Sequence, residues 1–423
     1  MKSSFLAFGI GEFSFFCLIL LLLCWMQDLV QSKMTSISEL SISVNEFAFD
    51  LYQVTSSSYP YGNNFLSPFS ISTVMSMIYL GSQGTTATQM SKTLKIQNVS
   101  DTIHQKFEEY IKLINADNAN FTLTTANRLY PSSEKEILDM YVMTCFKHYM
   151  ADVVLADYVN KPTDVETVIN SWVHTETKGK IKNLIPPGSL NPLTVLVLVN
   201  AIYFKGNWAK KFQPKNTEVN PFYKIGGDPV KVYMMKSQMK GVRYGEDEGL
   251  DCKVLQLPYK GEDLYMLVLL PNKKDGLPAL ESKLSVTTLE QLQNHMSPSL
   301  VEVSLPKFKI EASFELSEAL SKLGMPDVFD ESKADFSGMR KQKDIYLSKV
   351  FHKAFVDVNE EGTEAAAATA GIMMTKSMPM IYSFDADHPF IFLIMDKRSG
   401  VILFLGRLAA PTAVEARQSS DEL

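Results

Sequence analysis

One stretch near the C-terminal end constrains the fold more than any other. It reads Glu360-Glu361-Gly362-Thr363-Glu364, then Ala365-Ala366-Ala367-Ala368, then Thr369-Ala370-Gly371-Ile372-Met373-Met374-Thr375-Lys376-Ser377. Small side chains lose almost no rotamer entropy on burial, and Thr and Ala fit between closely spaced strands. Gly362 supplies the dihedral freedom that lets a loop become a strand. Lys376 followed by Ser377 offers a bond that a trypsin-like protease cuts. The tract reads as a segment exposed in one state and able to enter a sheet in another. Two plainer readings stand beside it: four successive alanines have the highest helix propensity, and such a stretch also serves as a linker.

The surroundings weigh between these readings. Lys349-Val-Phe-His-Lys-Ala-Phe-Val-Asp-Val-Asn-Glu-Glu-Gly-Thr-Glu-Ala-Ala-Ala-Ala-Thr-Ala-Gly371 resembles the proximal hinge of inhibitory serpins, above all of the ovalbumin-like (clade B) branch. Asn64-Phe-Leu-Ser-Pro-Phe-Ser-Ile71 is similar to the start of that family's central helix, and Leu198-Val-Asn-Ala-Ile-Tyr-Phe-Lys-Gly-Asn-Trp208 to its strand and breach motif. Asp387-His-Pro-Phe-Ile-Phe-Leu-Ile394 and Gly400-Val-Ile-Leu-Phe-Leu-Gly-Arg407 are similar to its closing strands. The blocks keep the family's order between Ser36 and Pro411.

The resemblance implies a mixed α+β serpin fold with a large central β-sheet, two smaller sheets, about nine helices and an exposed reactive-centre loop over about residues 360–384. A chain of 423 residues would by length alone make two or three domains. The interleaved family blocks, with no repeat or Pro/Ser-rich linker, imply instead one domain over residues 33–413.

The resemblance also implies a mechanism, inhibition as a suicide substrate. A trypsin-like serine protease attacks the carbonyl of Lys376, fourteen residues after Gly362, and the Lys376–Ser377 bond is the reactive bond. The cut loop then inserts from Thr363 onward, and strand alternation places Thr363, Ala365, Ala367, Thr369 and Gly371 on one face, all small enough to bury. Glu360, Glu361, Gly362, Thr363, Glu364 and Ala365 to Ala368 (including Ala366) form the hinge. Trp208 is implied as the breach tryptophan, Lys307 as the partner of Glu360, and Ser67, Ser70, Asn200 and His352 as the shutter that ties the sheet closed. A non-inhibitory relative, a chaperone or carrier, is the alternative. Such relatives carry a bulky or charged residue near the Thr363 position and lack the alanine run; here Thr363 and the run Ala365 to Ala368 are both intact, which favours inhibition.

The net charge of −6 gives no overall drive toward nucleic acid or anionic membrane. The short basic clusters at Lys205 to Lys215, Lys273-Lys274 and Arg340 to Lys343 form no dense basic helix face, so neither a heparin-type cofactor nor any other cofactor is expected, and the resemblance implies a monomer. The chain also lacks the marks of an enzyme. Its six histidines are scattered, with no His-Glu-x-x-His, no Gly-x-Ser-x-Gly elbow and no paired cysteine motif to hold a metal.

The ends of the chain carry an address. Lys2, an apolar core from Phe13 to Met26 and the small-to-modest Val30-Gln31-Ser32 read as a signal peptide over residues 1–32, cleaved before Lys33. As a membrane span the core is short, and extending it would bury Glu12 at a cost of about 2.5–3.5 kcal/mol. The mature form is thus expected to carry no membrane anchor, and a start at Met34 would give a shorter cytosolic product. Residues 414–423 form a polar tail ending Ser420-Asp421-Glu422-Leu423, whose last three residues match the endoplasmic reticulum retrieval signal while Ser420 departs from it. The expectation is a protein of the secretory pathway, secreted or retained in the endoplasmic reticulum, with glycosylation sequons at Asn98 and Asn120. Cys145 and Cys252 would remain after cleavage. An oxidising lumen permits their pairing, but they fall in segments assigned to different elements, which favours free thiols.

Overall fold

The computed structural model describes residues 38–116, 120–361 and 380–414. Nine α-helices occur among the described residues: α1 (38–57), α2 (Pro68–Gly81), α3 (Gly84–Thr93), α4 (Ile103–Ile114), α5 (Asp139–Tyr149), α6 (Pro162–Glu176), α7 (Leu277–Glu281), α8 (Val286–His295) and α9 (Ser317–Leu323). The spacing of Leu40, Val44, Phe47 and Leu51 predicts one buried stripe for α1, and all four are buried. α2 is buried on nearly every side, as an almost all-apolar helix must be.

Among the described residues, fourteen strands form two sheets. The larger holds β1 (Asn64–Leu66), β5 (Thr217–Phe222), β6 (Val230–Asp247), β7 (Cys252–Pro258), β8 (Leu264–Pro271), β9 (Ser297–Pro306), β12 (Ile381–Asp385), β13 (Phe390–Asp396) and β14 (Ile402–Leu408). The smaller runs in the order β10 (Phe308–Glu315), β11 (Lys349–Val358), β4 (Leu196–Gly206), β2 (Phe121–Pro131) and β3 (Asp152–Val153). The two smaller sheets of the expected fold share β6 and so connect into one nine-stranded surface. That strand shifts register between Lys240 and Val242, around Gly241 at φ +75°, and pairs with β5 on one side of the bulge and β7 on the other.

Three boundaries differ from the sequence reading. Alternation predicts one strand over Val301 to Ile310, but the chain leaves the nine-stranded sheet at Pro306 and enters the five-stranded sheet at Phe308. Lys307 between them stays extended, its N–H bonded to the Tyr233 carbonyl at 2.8 Å, so the apolar pattern passes through unbroken. The sequence predicts a helix over Ser313 to Leu323, but Ser313 to Glu315 finish β10 and α9 begins only at Ser317. The continuous apolar run Leu193 to Phe204 predicts a central strand, which starts only at Leu196, because Leu193 is exposed.

β4 is buried on both faces, as its continuous apolar run requires. Leu198, Ile202 and Phe204 join the main core toward α2 and the nine-stranded sheet, while Val197, Val199 and Ala201 meet Ile169 and Val173 of α6 in a second core. Cys145 on α5 and Cys252 at the start of β7 are buried and free. Burial pushes each thiol up to about 12.

Candidate functional site

β4 and β11 run parallel and in register from Lys349 opposite Val197 to Val356 opposite Phe204. No short connection links them, so a strand placed between them would break one ladder without breaking the chain. Two clusters of side chains hold it, one at mid-strand and one where β11 ends.

At mid-strand, Asn127 of β2, Asn200 of β4 and His352 of β11 are register partners across three adjacent strands. Side chains alternate faces, so Asn200 and His352 point the same way as Leu198 and Ala354, into the main core at the start of α2. His352 is fully buried, and burial lowers its pKa to about 3, so the ring is neutral. Its Nε2 accepts the Ser67 N–H at 3.3 Å and its Nδ1 faces the Asn200 Oδ1 at 2.5 Å, which makes Nδ1 the protonated nitrogen. The Asn200 amide donates to Asn127 Oδ1 at 2.6 Å and to Ser70 Oγ. Ser67 caps α2 by accepting the Ser70 N–H at 3.2 Å and donates its hydroxyl to the Leu403 carbonyl at 2.6 Å. The network thus ties the seam to α2 and to β14, entirely with uncharged groups.

Where β11 ends, Asn359 to Glu361 are held by five contacts. The Trp208 indole donates to the Asn359 carbonyl at 2.8 Å, and the Trp208 backbone N–H donates to the Glu361 carbonyl at 3.0 Å. Trp208 itself stacks on Tyr259 with ring centroids 4.6 Å apart. Lys307 Nζ sits 2.9 Å from Glu360, whose other oxygen accepts from Thr217 Oγ1 at 3.0 Å. Burial works to raise the Glu360 pKa, but the bonds from Lys307 and Thr217 outweigh it and hold the carboxyl below the usual range. Lys205 pairs with Glu361 at 2.5 Å, a contact that raises the lysine's pKa.

The structure therefore brings together Ser67, Ser70, Asn200 and His352 in one cluster, and Trp208, Lys307, Glu360 and Glu361 in another. Gly362 to Ala368, Lys376 and Ser377 lie outside the described residues. Asn98 is exposed on a 3-10 turn, Gln97–Val99, whereas Asn120 is half-buried with its amide against Gly261. Sequence reasoning missed Asn127, Thr217 and Tyr259. The signal for Asn127 was present: an amide inside the β-forming run Leu123 to Tyr130, where only a partner across the sheet satisfies it. The basic clusters carry acidic neighbours: Lys273 faces Asp251, Lys274 faces Asp387, Arg340 binds Asp344 and Lys343 binds Asp335.

Residues 42–411 match the family model described as serpin (serine protease inhibitor). The human protein named leukocyte elastase inhibitor is 44% identical over 382 residues, covering 88% of this chain and all of that one. Its namesake from Xenopus tropicalis is 41% identical over 377 residues, covering 88% of this chain and 99% of the other. Among solved structures, uncleaved ovalbumin superposes with a TM-score of 0.82 at 30% identity, covering 88% of this chain and all of that chain.

Proposed function

The chain belongs to the serpin family of serine protease inhibitors, and on that footing we propose that it traps a trypsin-like protease as a suicide substrate through Lys376–Ser377. It is an inhibitor and not an enzyme. The protease serine attacks the Lys376 carbonyl, the peptide bond breaks, and the amine of Ser377 leaves while the acyl group stays on the protease. The freed chain then enters the seam between β4 and β11.

One observation carries this reading: Asn359 to Glu361 leave β11 at the end of a seam whose two strands are parallel to each other. A segment turning back from the end of β11 runs antiparallel to both neighbours, so it forms a ladder on each side. Insertion exchanges one ladder for two, and each added hydrogen bond contributes on the order of 1 kcal/mol. Thr363 to Lys376 as a strand would carry the tethered protease roughly 45–48 Å. Trapping is a race in which insertion outruns hydrolysis of the acyl-enzyme.

The relatives are named for leukocyte elastase. Elastase-type enzymes have a small S1 pocket, whereas a lysine side chain needs one with a buried acid. Lys376 therefore supports a different target from that of the named relatives. We further propose that residues 1–32 direct the chain to the secretory pathway and that Ser420 to Leu423 retain it there. Asn98, being exposed, would carry glycan more readily than Asn120.

Incubation with trypsin tests the mechanism. A covalent adduct stable to denaturation is expected, with a released peptide beginning at Ser377. Clean cleavage with no adduct would make the chain a substrate, and a new N-terminus at Met374 or Thr375 would reassign the target class.

A further inference from the structure

The outer edge of β2 is open over much of its length. Leu129 and Pro131 give their carbonyls to the N–H groups of Val154 and Ala156, while Ser132 turns its N–H the other way, to Val195. The odd-numbered residues of β2 therefore turn their backbone groups outward, and the even-numbered ones turn theirs toward β4. β3 pairs with β2 only at Arg128 and Leu129, and among the described residues no strand pairs with that side before them. Thr125 and Asn127 thus present backbone N–H groups, and Thr125 a carbonyl as well, to whatever lies beside the edge.

What lies there is a cavity of about 250 Å³. Thr125, Ala126, Asn127 and Arg128 all line it. Four successive strand residues do so only when a cavity sits against the backbone edge, because their side chains alternate between faces. Phe69 of α2, Ile114 of α4 and Tyr149 of α5 form an apolar wall on one side, and Trp172 of α6 stands on the other. Arg128 lies over the Trp172 ring at 4.0 Å and holds it in place. The indole Nε1 is buried without a hydrogen-bond partner among the described residues, so an acceptor placed there recovers its desolvation cost. Arg128 is the only basic residue on the wall and is paired with Asp152 at 2.5 Å, while Glu176 is exposed. No cation is left over to hold an anion, so a neutral occupant fits best.

We propose that this cavity binds a small neutral secondary amide bearing an apolar group, the chemistry of a single peptide residue blocked at both ends. Its N–H and C=O continue the ladder on Thr125, its apolar group packs against Phe69, Ile114 and Tyr149, and a further carbonyl accepts from the Trp172 indole. Backbone bonds supply the affinity and the walls select the side chain, as when a strand is added to a sheet edge. The volume limits the occupant to about that size.

Titration of the purified protein with N-acetyl-leucine methylamide, followed by ligand-observed NMR, tests it. A Kd of about 1 mM is expected for a ligand of that size. The same compound methylated on both nitrogens keeps its carbonyls and apolar group but loses its donors, and should bind at least about fivefold more weakly. Thr125→Pro removes an outward N–H that the β2–β4 ladder does not use, and should weaken the methylamide by about fivefold. Trp172→Phe is a milder change that keeps a ring and removes the indole donor, and should lose a similar factor. A wild type that shows no binding up to about 20 mM, some twentyfold above the expected Kd, overturns the proposal and leaves the cavity to water. So does equal binding of the two compounds, or a Kd unchanged in both variants.

Discussion

The two clusters that hold the seam differ in the currency they use. At mid-strand the network is neutral and mostly enclosed: Asn200, His352, Ser67 and Ser70 are buried and only Asn127, at its β2 end, is half-buried. At the strand end Trp208 is buried, but of the charged groups Lys307, Lys205 and Glu361 are substantially exposed and only Glu360 is mostly buried. Exposed ion pairs are worth little because water and salt replace the partner, whereas a buried polar group that loses its partner costs its full desolvation. The seam is therefore weakly closed where a returning strand first reaches it and firmly closed halfway down. In the proposed insertion, opening would begin where it costs least, and the mid-strand network would set the barrier that keeps the sheet shut until a strand arrives.

The sharpest way to break this contrast is Asn200→Ala. It orphans His352 Nδ1, Asn127 Oδ1 and Ser70 Oγ together and should destabilise the fold by about 2–4 kcal/mol in denaturant unfolding. A cost under half of that would place the barrier elsewhere.

Acidification probes the same network without mutation. His352 has a folded pKa of about 3, lowered by burial, and His104 on α4 one of about 4, lowered by burial and then by nearby His148. For a depressed histidine the unfolded chain binds the extra proton. The stabilisation is thus complete above the unfolded value near 6.5 and is lost as pH falls toward the folded value. Between pH 6.5 and 5 the carboxylates are still largely ionised, and each ring should cost about 2 kcal/mol. Unfolding of His352→Asn over that window should show a slope smaller by close to one proton, and an unchanged slope would refute the assignment.

Smaller effects belong at the strand end. Trp208→Phe keeps the stack on Tyr259 and removes the bond to the Asn359 carbonyl, so about 1 kcal/mol should be lost. Lys307→Ala should cost about 1 kcal/mol or less and should matter less as salt is added, since its side chain is 42% exposed. If Lys307→Ala cost as much as Asn200→Ala, the contrast between the two clusters would fail.

Much of this was legible in the chain. The stripe in α1, the doubly buried run of β4 and the terminal pair β13 and β14 follow from periodicity, because burial on one face or two imposes a period. Ser67, Asn200, His352 and Trp208 came through family resemblance instead, since a lone polar residue in an apolar run does not announce its partner. Asn127 shows the limit. It stands 73 residues from Asn200 in sequence, and only strand register brings them together. The change of sheet at Lys307 was hidden for the opposite reason: extended backbone continues through it, and what changes is which neighbour supplies the hydrogen bonds.

The two buried thiols have a consequence for where such a domain can work. Cys145 and Cys252 sit apart in the fold, and with pKa values pushed up to about 12 neither offers a thiolate for exchange at neutral pH. Being also buried, neither offers glutathione or a disulfide isomerase a ready point of attack in the folded domain, so its fold does not rely on a disulfide between them. Moving the protein between a reducing and an oxidising compartment needs only a different address label, and the cargo travels unchanged.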